Sequence, residues 1–471
     1  MTADGDIPQR RVKLVASTGD ITKAPSSASS DEDGHDIHGY FESAQWTADG
    51  TTLLTYSSEN LISGYIVPQN LLSPHDGPLS LSPQASFRLP EPSNVLCSAP
   101  YFSLVEPWTQ QLLVSARDHP IQLFYLAPST QASHPPIASY PFTKARSETF
   151  LTASSLLWSS PGSHFVAGSR SLLARFDIQR TGDEPLTRIR TIPSERHIAK
   201  GNGIGMRGTV SALGAQPADL GNGASLVAAG TWTRWIGLYD FAQAGECAAT
   251  WSIASAVKDA TATNGSDIGG DGITQTVWSP CGRYLVVAER KSLGALIYDV
   301  RVTGKLLGYI NGRDALGNQR VALDVYPGTD EQSGFEIWSG TSSGAVRVWE
   351  GIGTQEGVYE PSWAWDAHNS TVGSVCLHRS GTVVATCAGS WEFPDEGGSA
   401  SQNGLGQETH GSDDESQSEA TDPDQELHWM SRRNKESSLS IWSTSTLQNN
   451  PEKNRGITRM MTERHSRRSI G

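Results

Sequence analysis

The sequence predicts an all-β fold, a seven-bladed propeller closed by its own N-terminal strand, and three observations carry that reading. Short runs of alternating apolar and polar residues recur with glycine or proline at the joints, the period of half-buried strands. One run, Asn318 to Glu350 (NQRVALDVYPGTDEQSGFEIWSGTSSGAVRVWE), holds a whole repeat unit. Units of this kind recur along the chain, and repeated strand units of this length indicate a radial array of sheets. Finally, 47 glycines, 25 prolines and 14 tryptophans in 471 residues favour strands and turns over long helices, because glycine and proline sit poorly inside helices while large aromatics pack well on pleated surfaces.

Seven units can be placed in order. The first spans Ser43 to Val67, with Trp46, the turn Ala48-Asp49-Gly50 and the strand Leu53 to Tyr56. The second runs from Val95 through Leu113 to Ala116 and on to Leu126, and the third from Leu157 through Phe165 to Asp177. Val210 to Asp240 forms the fourth, Val277 to Asp299 the fifth, and the run quoted above the sixth. The seventh starts at Val372, continues through Thr382 to Ala388, and resumes only at Ser438 to Trp442. It lacks an outer strand, and Arg11 to Ala16 is expected to supply one, since joining both chain ends in one blade removes a pair of open sheet edges. The propeller domain is therefore placed at residues 11–450. Connections such as Pro68 to Leu89 and Ala254 to Asp271 are read as loops on the faces.

The formal charge of −14 is unevenly placed. Eleven acids and no lysine or arginine fall between Trp391 and Leu427, among serine, glycine and glutamine. Such a stretch cannot bury enough apolar surface to offset its ordering entropy, so an acidic disordered insertion is expected at 391–437 in the last blade. Residues 1–10 are expected to be disordered as well. The tail at 451–471 is basic, with Lys453, Arg455, Arg459, Arg464, Arg467 and Arg468, and is also read as disordered. No run approaches the ~18 apolar residues of a membrane span, and the N-terminus has no hydrophobic signal core, so a soluble, non-secreted protein is expected. Five scattered cysteines fit a reducing compartment.

Chemistry is sparsely written. The zinc-protease and zinc-deaminase patterns are absent, so no enzyme, metal or cofactor is expected. The glycines of KGNGIGMRG precede a strand and not a helix, which argues against a phosphate-binding loop. His368 lies just before the seventh unit, where its expected work is a hydrogen bond between strands. Contact residues are sought among aromatics and cations instead. Trp232, Arg234 and Trp235 sit between two strands of the fourth unit, where the rings either pack on a neighbouring blade or offer a platform for a base. Arg290 and Lys291 occupy the matching turn of the fifth unit, and Arg313 and Arg320 extend a basic strip.

Several patches carry a family resemblance: Asn318-Gln319-Arg320 followed by Asp324 and Pro327, the run Ser339 to Trp349, and Phe393-Pro394. On these the chain resembles the telomerase Cajal body WD40 proteins, as a divergent, fungal-like member, over roughly Tyr40 to Trp442. The resemblance implies a non-enzymatic scaffold that binds small nuclear RNA or telomerase RNA together with ribonucleoprotein partners, and directs such particles within the nucleus. It carries the RNA-contact role to Asn318, Gln319, Arg320, Arg290 and Lys291. The competing expectation is a general WD40 protein-interaction platform tied to pre-mRNA splicing, in the nucleus or the cytoplasm, with no membrane and no small-molecule substrate in either case.

Overall fold

A computed structural model of the chain describes residues 11–23, 39–126, 134–192, 205–217, 226–265, 268–328, 333–392 and 433–445. Residues 1–10, most of the acidic insertion and the basic tail, all expected to be disordered, lie outside the described residues. Seven antiparallel sheets follow one another around a ring. Their inner strands are Phe41–Trp46, Ser93–Ser98, Ser155–Leu157, Val210–Ala215, Ile273–Trp278, Leu323–Pro327 and Val372–Leu377. From each, the chain steps outward through a second, a third and an outer strand. Second strands such as Tyr284–Glu289 and Val383–Ala388 are buried along their whole length, because adjacent blades cover both of their faces. That double cover explains their near-continuous apolar runs.

Polar ties link neighbouring inner strands around the ring. Ser374 Oγ donates to the Ala44 carbonyl at 2.9 Å, Ser155 Oγ to that of Val210 at 2.8 Å, and Trp278 Nε1 to that of Gly214 at 3.0 Å. The Gln275 side chain both donates to the Leu323 carbonyl at 2.8 Å and accepts from its N–H at 2.9 Å. Buried polar groups paired in this way hold the blades in register at little desolvation cost.

The ring closes as the sequence predicts. Arg11–Ser17 pairs antiparallel with Ser438–Ser445, with a bulge between Leu14 and Ala16. A further device was not foreseen. Leu79–Ser80 adds a parallel fifth strand beside Arg11–Ser17, and Gly357–Tyr359 does the same for Leu306–Ile310 in the fifth blade. In both, the connection between the third and outer strands of one blade covers the edge of the preceding blade. Covered edges cannot template pairing with another chain. The stretch read as a loop at 68–89 thus contains Leu79–Ser80 and the outer strand Ala85–Arg88. The other, at 254–271, contains the helix Ala254–Asn264, which buries Val257 and Ala260 on one face and ends at Gly265 with φ +70°. Glycine adopts that left-handed end without strain. The ends of the expected insertion are also structured: Trp391–Glu392 pairs with Arg433–Asn434.

His368 occupies the seam between the sixth and seventh blades. Its Nδ1 lies 2.9 Å from Glu436 Oε1 and its Nε2 2.7 Å from Thr386 Oγ1. The carboxylate holds the proton on Nδ1, so Nε2 accepts from the Thr386 hydroxyl, whose oxygen in turn accepts from Trp442 Nε1 at 2.8 Å. A chain of donors thus joins the second and third strands to the connection that enters the blade. Burial alone would raise the Glu436 carboxyl, but hydrogen bonds from His368, Ser438 and the Asn369 N–H outweigh it and hold the group at about 2.

A depressed carboxylate stabilises the fold above its unfolded value of about 4.3 and loses that contribution as pH falls toward its folded value. Glu436→Ala should therefore lower the melting temperature at pH 7 by an amount equivalent to roughly 2 kcal/mol, and the gap from wild type should close as pH drops from about 4.5 to about 2. Calorimetry across that window checks it; a gap independent of pH would remove the carboxylate from this role.

Candidate nucleic-acid interface

In every blade the turn between second and third strands opens on one face, here called upper, together with the connection to the next blade's inner strand. Residues from four blades meet there. In the fourth, Leu226–Thr231 ends and Trp235–Asp240 begins around a tight turn in which Arg234 has φ +66° and donates its N–H to the Thr231 carbonyl at 3.0 Å. The turn leaves Trp232 49% exposed. Gly272, on the connection to the fifth blade, approaches so closely that a Cβ would lie 2.8 Å from the Trp232 carbonyl oxygen. That contact requires glycine.

Charge in this region is mostly spent on structure. Arg234 forms a two-pronged pair with buried Glu289, at 2.7 and 2.9 Å. Arg313, 1% exposed, lies against the same glutamate and donates to the carbonyls of Glu289 and Val321 and to the hydroxyls of Ser292 and Ser339. Burial pulls its guanidinium down to about 10, with Glu289 opposing the fall. Arg290 pairs with Asp271 at 2.8 Å and Lys291 reaches the same carboxylate at 3.6 Å. The hydrogen bond from Arg290 holds Asp271 below the usual carboxylate range. One acid is thus shared by two exposed cations.

Arg320 differs. It stands at the mouth of the central channel, on the connection into the sixth blade, and makes no hydrogen bond to any of the described residues. Across the mouth is Glu42, at the start of the first blade's inner strand; between them, Gly373 would place a Cβ 2.9 Å from the Glu42 carbonyl oxygen and 3.1 Å from Gln319 Nε2. The Arg320 side chain keeps contact with water, yet the channel walls replace much of its hydration. Burial lowers its pKa, Glu42 opposes the fall and Arg290 adds to it. Burial likewise raises Glu42, with Arg320 opposing. The mouth therefore offers unspent guanidinium donors near an acceptor carboxylate.

No protein-family model matches the chain. Among characterised proteins, the telomerase Cajal body protein 1 of Homo sapiens is 26% identical over 76% of this chain and 58% of its own length, and that of Bos taurus 26% over 76% and 59%. The guanine nucleotide-binding protein negative regulator 1 of Schizosaccharomyces pombe is 25% identical over 66% of the chain and 70% of its own length. The chain thus spans less than two thirds of the length of the mammalian relatives. With seven blades of four or five strands each, the fold has its description. It is a seven-bladed β-propeller.

Within this ring, the residues singled out in the sequence fall into two groups. Trp232, Arg290, Lys291, Asn318 and Arg320 reach the upper surface of the fourth to sixth blades. Arg234, Trp235 and Gln319 serve the scaffold: Arg234 through Glu289, Trp235 by packing between the third and fourth blades, and Gln319 by donating to the Gly389 carbonyl at 2.9 Å. Arg313, placed in the basic strip by the sequence, is instead sealed inside. The acids Glu42, Asp271 and Glu289 escaped sequence reasoning, although an acid closing the apolar strand YLVVAE, directly before Arg290-Lys291, is itself a signal of a buried ion pair.

Removing Arg234 strands a buried carboxylate, which costs about 3 kcal/mol; Arg320→Ala, at an unpaired site, should change stability by less than about 0.5 kcal/mol. Denaturant unfolding of the two variants checks the contrast, and equal losses would dissolve the division between structural and unspent cations.

Proposed function

We propose that the chain is a non-enzymatic WD40 scaffold that holds a small nuclear RNA, or telomerase RNA, with its ribonucleoprotein partners on the upper face, and acts in the nucleus. The observation that carries this reading is Arg320 with its donors unspent, close to Arg290 and Glu42 and on the same face as the exposed ring of Trp232. Guanidinium donors can take phosphate or base edges, a neighbouring carboxylate can accept from a base, and an exposed indole can stack on one. Asn318 adds an exposed amide, and Lys291 a third cation. The names of the mammalian relatives support the same direction.

The name of the fission-yeast relative favours a second reading, a platform for protein partners alone. The two differ in what RNase treatment does to the purified complex. On the RNA reading, the triple variant Arg290→Ala, Lys291→Ala, Arg320→Ala recovers at least tenfold less crosslinked small RNA than wild type at equal melting temperature. Its log–log salt dependence of binding is shallower by about 2, as expected for lost phosphate contacts. Trp232→Ala weakens binding by about 1 to 3 kcal/mol with the salt slope unchanged. RNA recovery equal to wild type in both variants would leave the protein platform as the better account.

A further inference from the structure

Exposed apolar side chains are gathered in one sector of the lower face, the side opposite the cations just described. Of nine large hydrophobic side chains exposed among the described residues, five (Leu72, Tyr101, Val105, Trp108 and Ile137) belong to the lower-face connections of the first and second blades. Val105 is 88% exposed and Trp108 64%. Scattered apolar residues are ordinary on a surface, but a concentration of this kind marks an interaction site.

The loop that carries most of them is longer than its position demands and is rigid. Between inner and second strands the first, fifth and seventh blades use five residues (47–51, 279–283 and 378–382), whereas the second uses twelve, 99–110. Inside this loop Thr109 Oγ1 accepts from the Ser103 N–H at 2.9 Å and donates to the Glu106 carbonyl at 2.6 Å. Gln110 Nε2 donates to the Leu104 carbonyl and Gln111 Nε2 to that of Trp108, both at 3.0 Å. The Leu104 N–H donates to Asp49 Oδ2 at 2.7 Å, which fastens the loop to the first blade. On the other side Tyr101 packs edge-on against Trp158, with ring centroids 5.5 Å apart. Ordering entropy is therefore settled before any partner arrives, as in aromatic anchors that dominate protein interfaces.

Charge decides what kind of partner fits. Residues 47–51, 67–84, 99–110 and 126–137 include Asp49, Asp76 and Glu106 and no lysine or arginine. Arg379, in the seventh blade's turn, borders the sector. Asp49 is spent on the loop, so Asp76 and Glu106 set the sign. A polyanion has nothing to bind here. We propose that this sector docks a protein partner whose contact segment sets apolar side chains beside lysine or arginine. The proposal is independent of the RNA reading, because it uses the other face.

The test uses the full chain. Phage-displayed 16-residue peptides are selected on immobilised protein and measured by fluorescence anisotropy against wild type, Trp108→Ala, Val105→Asp and Arg320→Ala, with melting temperature and RNA binding recorded for each. Selected peptides should combine apolar and basic residues. Their Kd should rise at least tenfold in Trp108→Ala and Val105→Asp at unchanged melting temperature and RNA binding, and stay at the wild-type value in Arg320→Ala. If Val105→Asp does not fold, Val105→Ser takes its place. Peptides that bind both lower-face variants as well as wild type, or acidic peptides, overturn the proposal. So does a wild-type dimer in sedimentation velocity that Trp108→Ala dissociates, which would make a second copy the occupant. Binding only after removal of residues 446–471 overturns it too, since the chain's own tail would then be what covers the patch.

Discussion

Ring closure is the constraint on which the other features rest. Seven sheets arranged radially leave one seam, and here the seam is made of segments more than 400 residues apart, Arg11–Ser17 and Ser438–Ser445. Bringing them together carries a loop-closure entropy, which grows only slowly with length. Against it stand a full antiparallel ladder, the burial of Val15 and Ala16, and the covering strand Leu79–Ser80. Thr18 and Asp20 extend the seam: the Thr18 N–H donates to the Leu439 carbonyl at 3.0 Å and Asp20 Oδ1 accepts from the Ser437 N–H at 3.1 Å. Without this joint the edges of the seventh blade would stand open. With it, the inner strands keep the spacing that places Glu42 of the first blade opposite Arg320 of the sixth connection.

Two buried networks convert that spacing into defined surfaces. The Trp442–Thr386–His368–Glu436 chain fixes the blade that completes the ring, and the Arg234–Glu289–Arg313 group fixes the upper face between the fourth and sixth blades. Arg313 is the more instructive of the two. A buried guanidinium is tolerated only when most of its donors are met, and its four acceptors come from the turn after Glu289, from Val321 and from Ser339 of the next second strand. It therefore stitches the connection 311–322 to two blades. The same connection presents Asn318 and Arg320. A structural cation positions a free one.

The strand repeats were legible because a second strand covered on both faces must be apolar throughout, and a turn between strands must carry glycine or a tolerant polar residue. Units built from LVAAG, YLVVAE and VVATCA announce themselves. The helix at Ala254–Asn264 did not, because its buried apolar face is only Val257 and Ala260 in the run ASAVKDATATN, and its stability comes from contact with blades that no local window sees. The roles of the site residues were hidden for a related reason. Arg234 and Glu289 are 55 positions apart, and nothing in TWTRW separates an arginine bound for a buried carboxylate from one bound for solvent. Trp232 and Trp235 were legible only as a pair; the geometry of the turn sends the first outward and the second between blades.

Rigidity also separates the chemistry of the two faces. The upper face of the fourth to sixth blades exposes cations, some shared with single acids, around a channel mouth where desolvation strengthens whatever charge arrives. The lower face of the first and second blades exposes tryptophan, valine and leucine with two unspent acids and no cation. Neither set has a reason in packing: Arg320 and Trp108 could each be lost without opening a cavity. The long loop at 99–110 spends several hydrogen bonds to hold side chains out of the core, the reverse of what folding alone would favour. Surfaces of such different chemistry, built at that cost, stand on opposite sides of a ring that cannot flex to merge them.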